Sequence, residues 1–179
     1  KSFGGSEDEN SWGLTLDNQG NIIIVGDFLG TANFETNPSG TLNLTSKGDL
    51  DIFISKLDPS GDLIWAKSIG NQGRDVALSV TTDDANNVIV VGDFTDTVDF
   101  DPGIGTNFIR SQGLDIYIHK LDSAGNFVWV KSFGSNTPYV EQGKSISIDK
   151  QDNIYVTGTF RDVVDFDRGP GVQNLSAGT

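Results

Sequence analysis

The chain writes one pattern nearly three times. KSFGG at 1–5 returns as KSIGN at 67–71 and KSFGS at 131–135, and GDF at 26–28 returns as GDF at 92–94 and GTF at 158–160. DIFISKLD at 51–58 returns as DIYIHKLD at 115–122, and each copy leads through a turn to a tryptophan, Trp65 or Trp129. The intervals are 64 to 66 residues. Self-similarity at a fixed period marks an array of supersecondary units, each unable to bury its apolar face without a neighbour. Function is therefore sought in the array.

Within one period, strand and turn signals alternate, with no helical periodicity. In the middle copy the strands are expected at Ala77 to Thr81, Val88 to Phe94, Asp115 to Leu121 and Phe127 to Phe133, with a polar, glycine-rich excursion at 95–113. Four short antiparallel strands make one β-propeller blade. The expected fold is all-β: an outer strand of a preceding blade at 1–9, blades at 10–70 and 74–134, and a partial blade at 139–179. The ring is incomplete, and the natural chain is expected to continue beyond both ends.

The turns carry their own chemistry. DNQG at 17–20, DPSG at 58–61 and DSAG at 122–125 place an aspartate first and a glycine fourth. This suits a type I turn closed by a bulge residue at φ > 0, with the aspartate capping backbone amides. Asp17, Gly20, Asp58, Gly61, Asp122 and Gly125 are thus turn formers, and Asn86 of DDAN and Asp152 of DKQD occupy the glycine position. Ile22, Ile24, Val88, Val90, Ile154 and Val156 fall at matching core positions, as do Phe28, Phe94 and Phe160. Trp65 and Trp129 on the fourth strand are expected to fill the gap between adjacent blades. The recurring KS pairs at 1–2, 67–68 and 131–132 suit lysine stems packed along blade edges. Trp12, where matching positions hold Leu78 and Lys144, reads as core on the innermost strand or as the lining of a channel mouth.

Charge and composition exclude several functions. A net charge of −13 opposes sequence-independent nucleic-acid binding, which needs cations to displace counterions from phosphate, and opposes anionic membrane surfaces. With no cysteine there is no disulfide, thiolate metal site or cysteine nucleophile. The apolar runs Ile22 to Val25 and Val88 to Val91 are too short to span a bilayer. His119, the single histidine, has Ser55 as its counterpart, and alternation from Ile118 puts it on a solvated face.

The most site-like feature is DFD at 99–101 and 165–167. Alternation puts Asp99 and Asp101, and likewise Asp165 and Asp167, on one face about 6 to 7 Å apart, where hard oxygen ligands suit calcium. The spacing lacks the acidic run and terminal bidentate glutamate of a recognised calcium loop, and surface carboxylate pairs are usually solvated. No other cofactor is indicated.

The segments VDFDPGIGT at 98–106, LDIYIHKLDSAGNFVWVKSFG at 114–134 and NIYVTGTF at 153–160 resemble the SBBP-type β-propeller repeats of large secreted and cell-surface proteins of Bacteroidetes. The resemblance covers essentially the whole chain. It implies a propeller exported to the outer cell surface, often by the type IX route and within a modular adhesin-like protein. DTV at 96–98 and DSA at 122–124 then resemble the O-glycosylation signal of that group, with Thr97 and Ser123 as acceptors. NLT at 43–45 and NLS at 174–176 fit asparagine glycosylation only in a eukaryotic secretory context.

The function expected is a non-enzymatic extracellular interaction or adhesion module. It would bind protein or glycan, or adjoining subunits of a larger assembly, through the 29–50 and 95–113 loops. The alternatives are a propeller enzyme acting on glycans, with its active site on other blades, and a passenger or spacer segment of a type IX secretion substrate.

Overall fold

The computed structural model describes residues 1–135, 137–167 and 171–178. Its strands, in chain order, are β1 (Gly4–Gly5), β2 (Glu9–Leu16), β3 (Ile22–Phe28), β4 (Thr31–Asn33), β5 (Asn43–Thr45), β6 (Asp51–Leu57), β7 (Leu63–Ile69) and β8 (Val76–Thr82). They continue as β9 (Val88–Asp99), β10 (Phe108–Leu121), β11 (Phe127–Phe133), β12 (Gln142–Ile148), β13 (Ile154–Thr159), β14 (Val163–Asp165) and β15 (Asn174–Ser176). No helix is found among the described residues.

Strands β2, β3, β6 and β7 form one antiparallel sheet, and β8 to β11 form a second of the same order. The pair β12–β13 repeats the first two strands of the unit. These sheets are propeller blades, and among the described residues they do not close a ring. Residues 168–170 and 179 of the third unit, placed at 139–179 from sequence, lie outside the described residues.

One end of each blade is closed by aspartate turns. Asp17 Oδ1 accepts the amide N–H groups of Gln19 and Asn21, both at 2.9 Å, and Gly20 follows at φ +78°. Asp58 and Asp122 hold their turns the same way, as do Asp83 and Asp149, whose fourth residues Asn86 and Asp152 sit at φ 62° and 61°. A lysine of the third strand then reaches across the sheet. Lys56 Nζ lies 2.9 Å from Asp17, and Lys120 Nζ lies 2.7 Å from Asp83.

Stacking makes the core. Ile23, Val25, Ile52, Ile54 and Ile69 of the first blade meet Val80, Val88, Val90, Phe94 and Tyr117 of the second. The other face of the second blade, through Ile89, Val91 and Ile116, meets Ile146, Ile154 and Val156. The middle sheet is therefore dry on both sides. At about 25 cal/mol per Å² of apolar surface removed from water, these faces are the main source of stability.

Two expectations from sequence are corrected. The excursions are hairpins, not glycine-rich loops: β4 pairs with β5, β14 with β15, and β9 and β10 run on past the blade to pair Asp99 with Phe108. The alternation T-V-D-F buries Val98 and Phe100 and leaves Thr97 outside, which is strand chemistry hidden by the flanking glycines. Likewise, His119 is not solvated but fully buried. It shares a face with Tyr117, turned toward the first blade, and lies 5.7 Å from the rings of both Phe100 and Phe127. Alternation identifies an outside only where a sheet has one wet face, and this sheet has none.

Candidate functional site

All three hairpins rise from the end of the blades opposite the aspartate turns, where second strands finish and third strands begin. Each leaves its second strand through a residue in the left-handed region: Gly30 at φ 69°, Asp96 at 57° and Asp162 at 58°. This bend directs an apolar strand position back into the core, placing Ala32, Val98 or Val164 out of solvent.

The DFD carboxylates serve these hairpins. Asp99 Oδ1 accepts the amides of Asp101 at 3.1 Å and Asn107 at 2.7 Å, and Asp101 accepts that of Gly103 at 2.8 Å. Asp165 repeats the first arrangement, accepting the amides of Asp167 and Gln173. In the first blade Asn33 does so without a charge, accepting from Glu35 and Leu42. An amide side chain fills the role as well as a carboxylate, so the recurrence follows from loop closure. No group of three or more acidic or histidine side chains placed to hold a metal occurs among the described residues.

The same end carries a row of acids that the sequence reading passed over, of which Asp75 and Glu141 are buried and Glu9 is half-buried. Glu9, Asp75 and Glu141 occupy equivalent places before or at the first strand. Glu9 accepts the Gly5 amide at 2.8 Å, and Asp75 accepts those of Asn71 at 2.8 Å and Thr95 at 3.0 Å, while Glu141 takes the Ser135 hydroxyl at 3.1 Å. Each acid thus ties its own blade to the end of the preceding one. A visible signal existed: an acid stands eight to ten residues after each KS lysine. Burial pushes Asp75 up to about 7, aided by the charges of Asp51 and Asp96, and burial pushes Asp51 up to about 6. Burial also raises Asp93 and Glu141.

Nearer the inner strands, Asp27 accepts the Trp12 indole N–H at 2.5 Å and the Asn10 amide at 2.9 Å. Asp93, its equivalent, takes Arg74 at 2.5 Å. Trp12 is 56% exposed, so the expectation that it belongs to the core fails. The reason is a bulge: the β2–β3 register slips between Ser11 and Gly13, and the equivalent slips occur at Leu78 and Lys144. A bulge re-aims its extra side chain away from the sheet. The three residues that break the repeat therefore sit at one equivalent place.

Trp65 packs against the next blade's turn, where its indole donates to the Ser123 carbonyl at 3.2 Å and lies under Gly125. Trp129, its equivalent, is half-buried. Lys67 runs its stem over Gly125 as Lys1 does over Gly61. Thr97 and Ser123 are both exposed, the first on a hairpin strand and the second in a tight turn, and Asn43 and Asn174 lie exposed on hairpin strands.

With this geometry, the comparisons with known proteins are specific. Residues 128–159 match a family described as a beta-propeller repeat, SBBP. That stretch covers β11 from its second residue, β12 and β13. The chain is a β-propeller repeat protein. It is also similar to an uncharacterized WD repeat-containing protein of Acanthamoeba polyphaga mimivirus, 36% identical over 115 residues, which make up 56% of this chain and 8% of that protein. The propeller array thus spans a small part of that relative's length.

Proposed function

We propose that this propeller array is a non-enzymatic interaction module whose contact surface is the hairpin end, facing a protein or glycan partner outside the cell. The observation that carries the reading is the exposure of large apolar side chains on the hairpin tips. Ile104 is fully exposed and Phe108 65% exposed on the second hairpin, and Val172 and Leu175 are exposed on the third. They stand on a scaffold whose buried positions repeat, and variable exposed side chains on a constant frame are how binding surfaces are commonly built. The groove beside the first hairpin, about 700 Å³ and lined by Glu9, Asn33, Glu35 and Asn37 among others, adds hydrogen-bonding groups at the same end.

The extracellular placement rests on the resemblance of the repeats to exported propellers. No helix among the described residues is long and apolar enough to cross a membrane, a statement that leaves strand-built barrels aside. Arrays of immobilised glycans and cell-surface proteins provide the test. Ile104→Asp with Phe108→Asp should abolish the signals the parent chain gives, while Asn18→Ala at the opposite end should leave them. Signals that survive the double substitution in a folded protein would place the contact surface elsewhere.

A further inference from the structure

The first strands β2, β8 and β12 stand side by side along the inner rim of the array, with Gly13 packed on the Ser79 backbone and the Ile146 amide donating to Ser79 Oγ at 3.3 Å. Along this rim the repeat is broken. The bulge position holds Trp12, Leu78 and Lys144 in turn, and the place two residues before it holds Asn10, Val76 and Gln142. Buried positions recur from blade to blade because packing dictates them, and unlike residues on one rim answer to a different demand.

Trp12 is held there as a platform. Its indole N–H donates to Asp27 Oδ1 at 2.5 Å and the Asn10 amide donates to Oδ2 at 2.9 Å, so the carboxylate pins the ring by one edge. Asp27 alternates along β3 with Ile23 and Val25, which meet the second blade, and the ring therefore hangs over the seam between the two full blades. Trp12, 56% exposed, opens onto the rim and not onto the other face of the first blade, where Phe28 and Phe53 lie.

The next seam holds a cation in the same way. Asp93, the equivalent of Asp27, is fully buried and takes Nη1 of Arg74 at 2.5 Å, while the Arg74 side chain is 38% exposed. Burial raises the Asp93 carboxyl, Arg74 and Gln142 draw it down, and the Asp27 charge pushes it up again, so the two carboxylates stand within electrostatic reach of each other. The indole and the guanidinium they hold are therefore neighbours. Lys144 extends the rim with an exposed ammonium. In a chain of net charge −13, Asp27 and Asp93 are buried and engaged here while Arg74 and Lys144 face water.

An indole fixed by its edge offers an electron-rich, apolar face on which the C–H face of a pyranose ring can lie. The outward N–H groups of a guanidinium beside it suit a carboxylate. A neutral sugar would leave Arg74 unused, and a small anion would leave Trp12 uncovered. We propose that the inner rim above Asp27 and Asp93 binds an acidic sugar, a uronate residue of a glycan chain, with its ring on Trp12, its carboxylate at Arg74 and the chain running on toward Lys144. This site is separate from the hairpin tips and does not rest on their role.

The test uses the full chain with short oligosaccharides of galacturonate, mannuronate and glucuronate as probes, each beside its neutral counterpart. Saturable binding of at least one uronate is expected, with cross-relaxation between its ring protons and the Trp12 indole by NMR, and with its neutral counterpart bound about tenfold more weakly. Trp12→Ala should remove the binding and Trp12→Phe should restore part of it, whereas Arg74→Lys should weaken the uronate and leave the neutral sugar unchanged. Ile104→Asp with Phe108→Asp should leave uronate binding intact, which separates this site from the hairpin surface. Absence of saturable binding by all the uronates would overturn the proposal, as would equal binding of the neutral counterpart, cross-relaxation to Trp65 or Trp129 in place of Trp12, or loss of binding through the hairpin substitutions. The cross-relaxation is read on the unsubstituted chain, so it decides the outcome even where a variant fails to fold.

Discussion

The ammonium of Lys56 lies 2.9 Å from the carboxylate of Asp17, and both side chains are shut away from solvent. Lys56 also donates to the Ser123 carbonyl of the next blade at 3.3 Å. Burial alone would raise the Asp17 carboxyl, but Lys56 and the Asn21 and Gln19 groups hold it down to about 2. Breaking one partner of such a pair leaves the other as a buried, uncompensated charge. Lys56→Ala should therefore cost about 3–5 kcal/mol, read from urea midpoints. Lys120→Ala should cost less, because Lys120 retains contact with water. Equal small losses at both sites would show that the pairs are solvated.

Asp75 should make the array more stable in mild acid. Its carboxyl is raised to about 7, so the folded state holds a proton that the unfolded chain has released above about pH 4. The contribution is fully present below about pH 4 and is lost as pH rises toward 7, at up to about 1.4 kcal/mol per pH unit. Asp75→Asn removes the titration and keeps one of the two acceptor oxygens that take the Asn71 and Thr95 amides. The variant should lose the fall in stability between about pH 4 and 7, and an unchanged pH slope would contradict the assignment.

His119 acts in the opposite direction. Burial lowers it to about 3, so in the folded protein it stays neutral where the unfolded chain, with an ordinary value near 6.5, takes up a proton. Stability from this group is present above about pH 6.5 and is lost as pH falls toward 3. His119→Phe should flatten that acid limb of the melting curve. A neutral-to-acid titration of His119 by NMR at its ordinary value would mean that the blade interface is open.

Gly125 tests the contact between blades. It sits at φ +81°, and a Cβ there would lie 3.1 Å from the Trp65 ring. Gly125→Ala should cost about 1–2 kcal/mol from the left-handed backbone, with a further loss from displaced Trp65. Gly178→Ala, with nothing within 4 Å of the new atom, is the control expected to be silent. Intrinsic tryptophan fluorescence should shift in the first variant and not in the second.

How far the sequence could be read depended on whether a feature is local. The blades were legible because strand alternation and Asp-x-x-Gly turns act within a few residues, and the sheets β2–β3–β6–β7 and β8–β11 follow from them. The hairpins were not, since V-D-F between glycines and a proline resembles a loop until the aspartate is seen closing it. His119 was misplaced because the second dry face of its sheet is made by another blade. Glu9, Asp75 and Glu141 were missed because their partners, too, belong partly to neighbouring blades and the residue type alternates between Glu and Asp. Trp12 needed the bulge, which shifts alternation by one residue and is invisible to it.

Native-state hydrogen exchange tests the stacked array most directly. The middle blade is dry on both faces only because its neighbours cover it, and protection should follow that order. Amides of Val88 to Phe94 on β9, paired on both edges and covered on both faces, should exchange slowest, and those of β13, paired on one edge among the described residues, should exchange much faster. Equal exchange in β9 and β13, or fast exchange throughout β9, would contradict an array held together by its inter-blade faces.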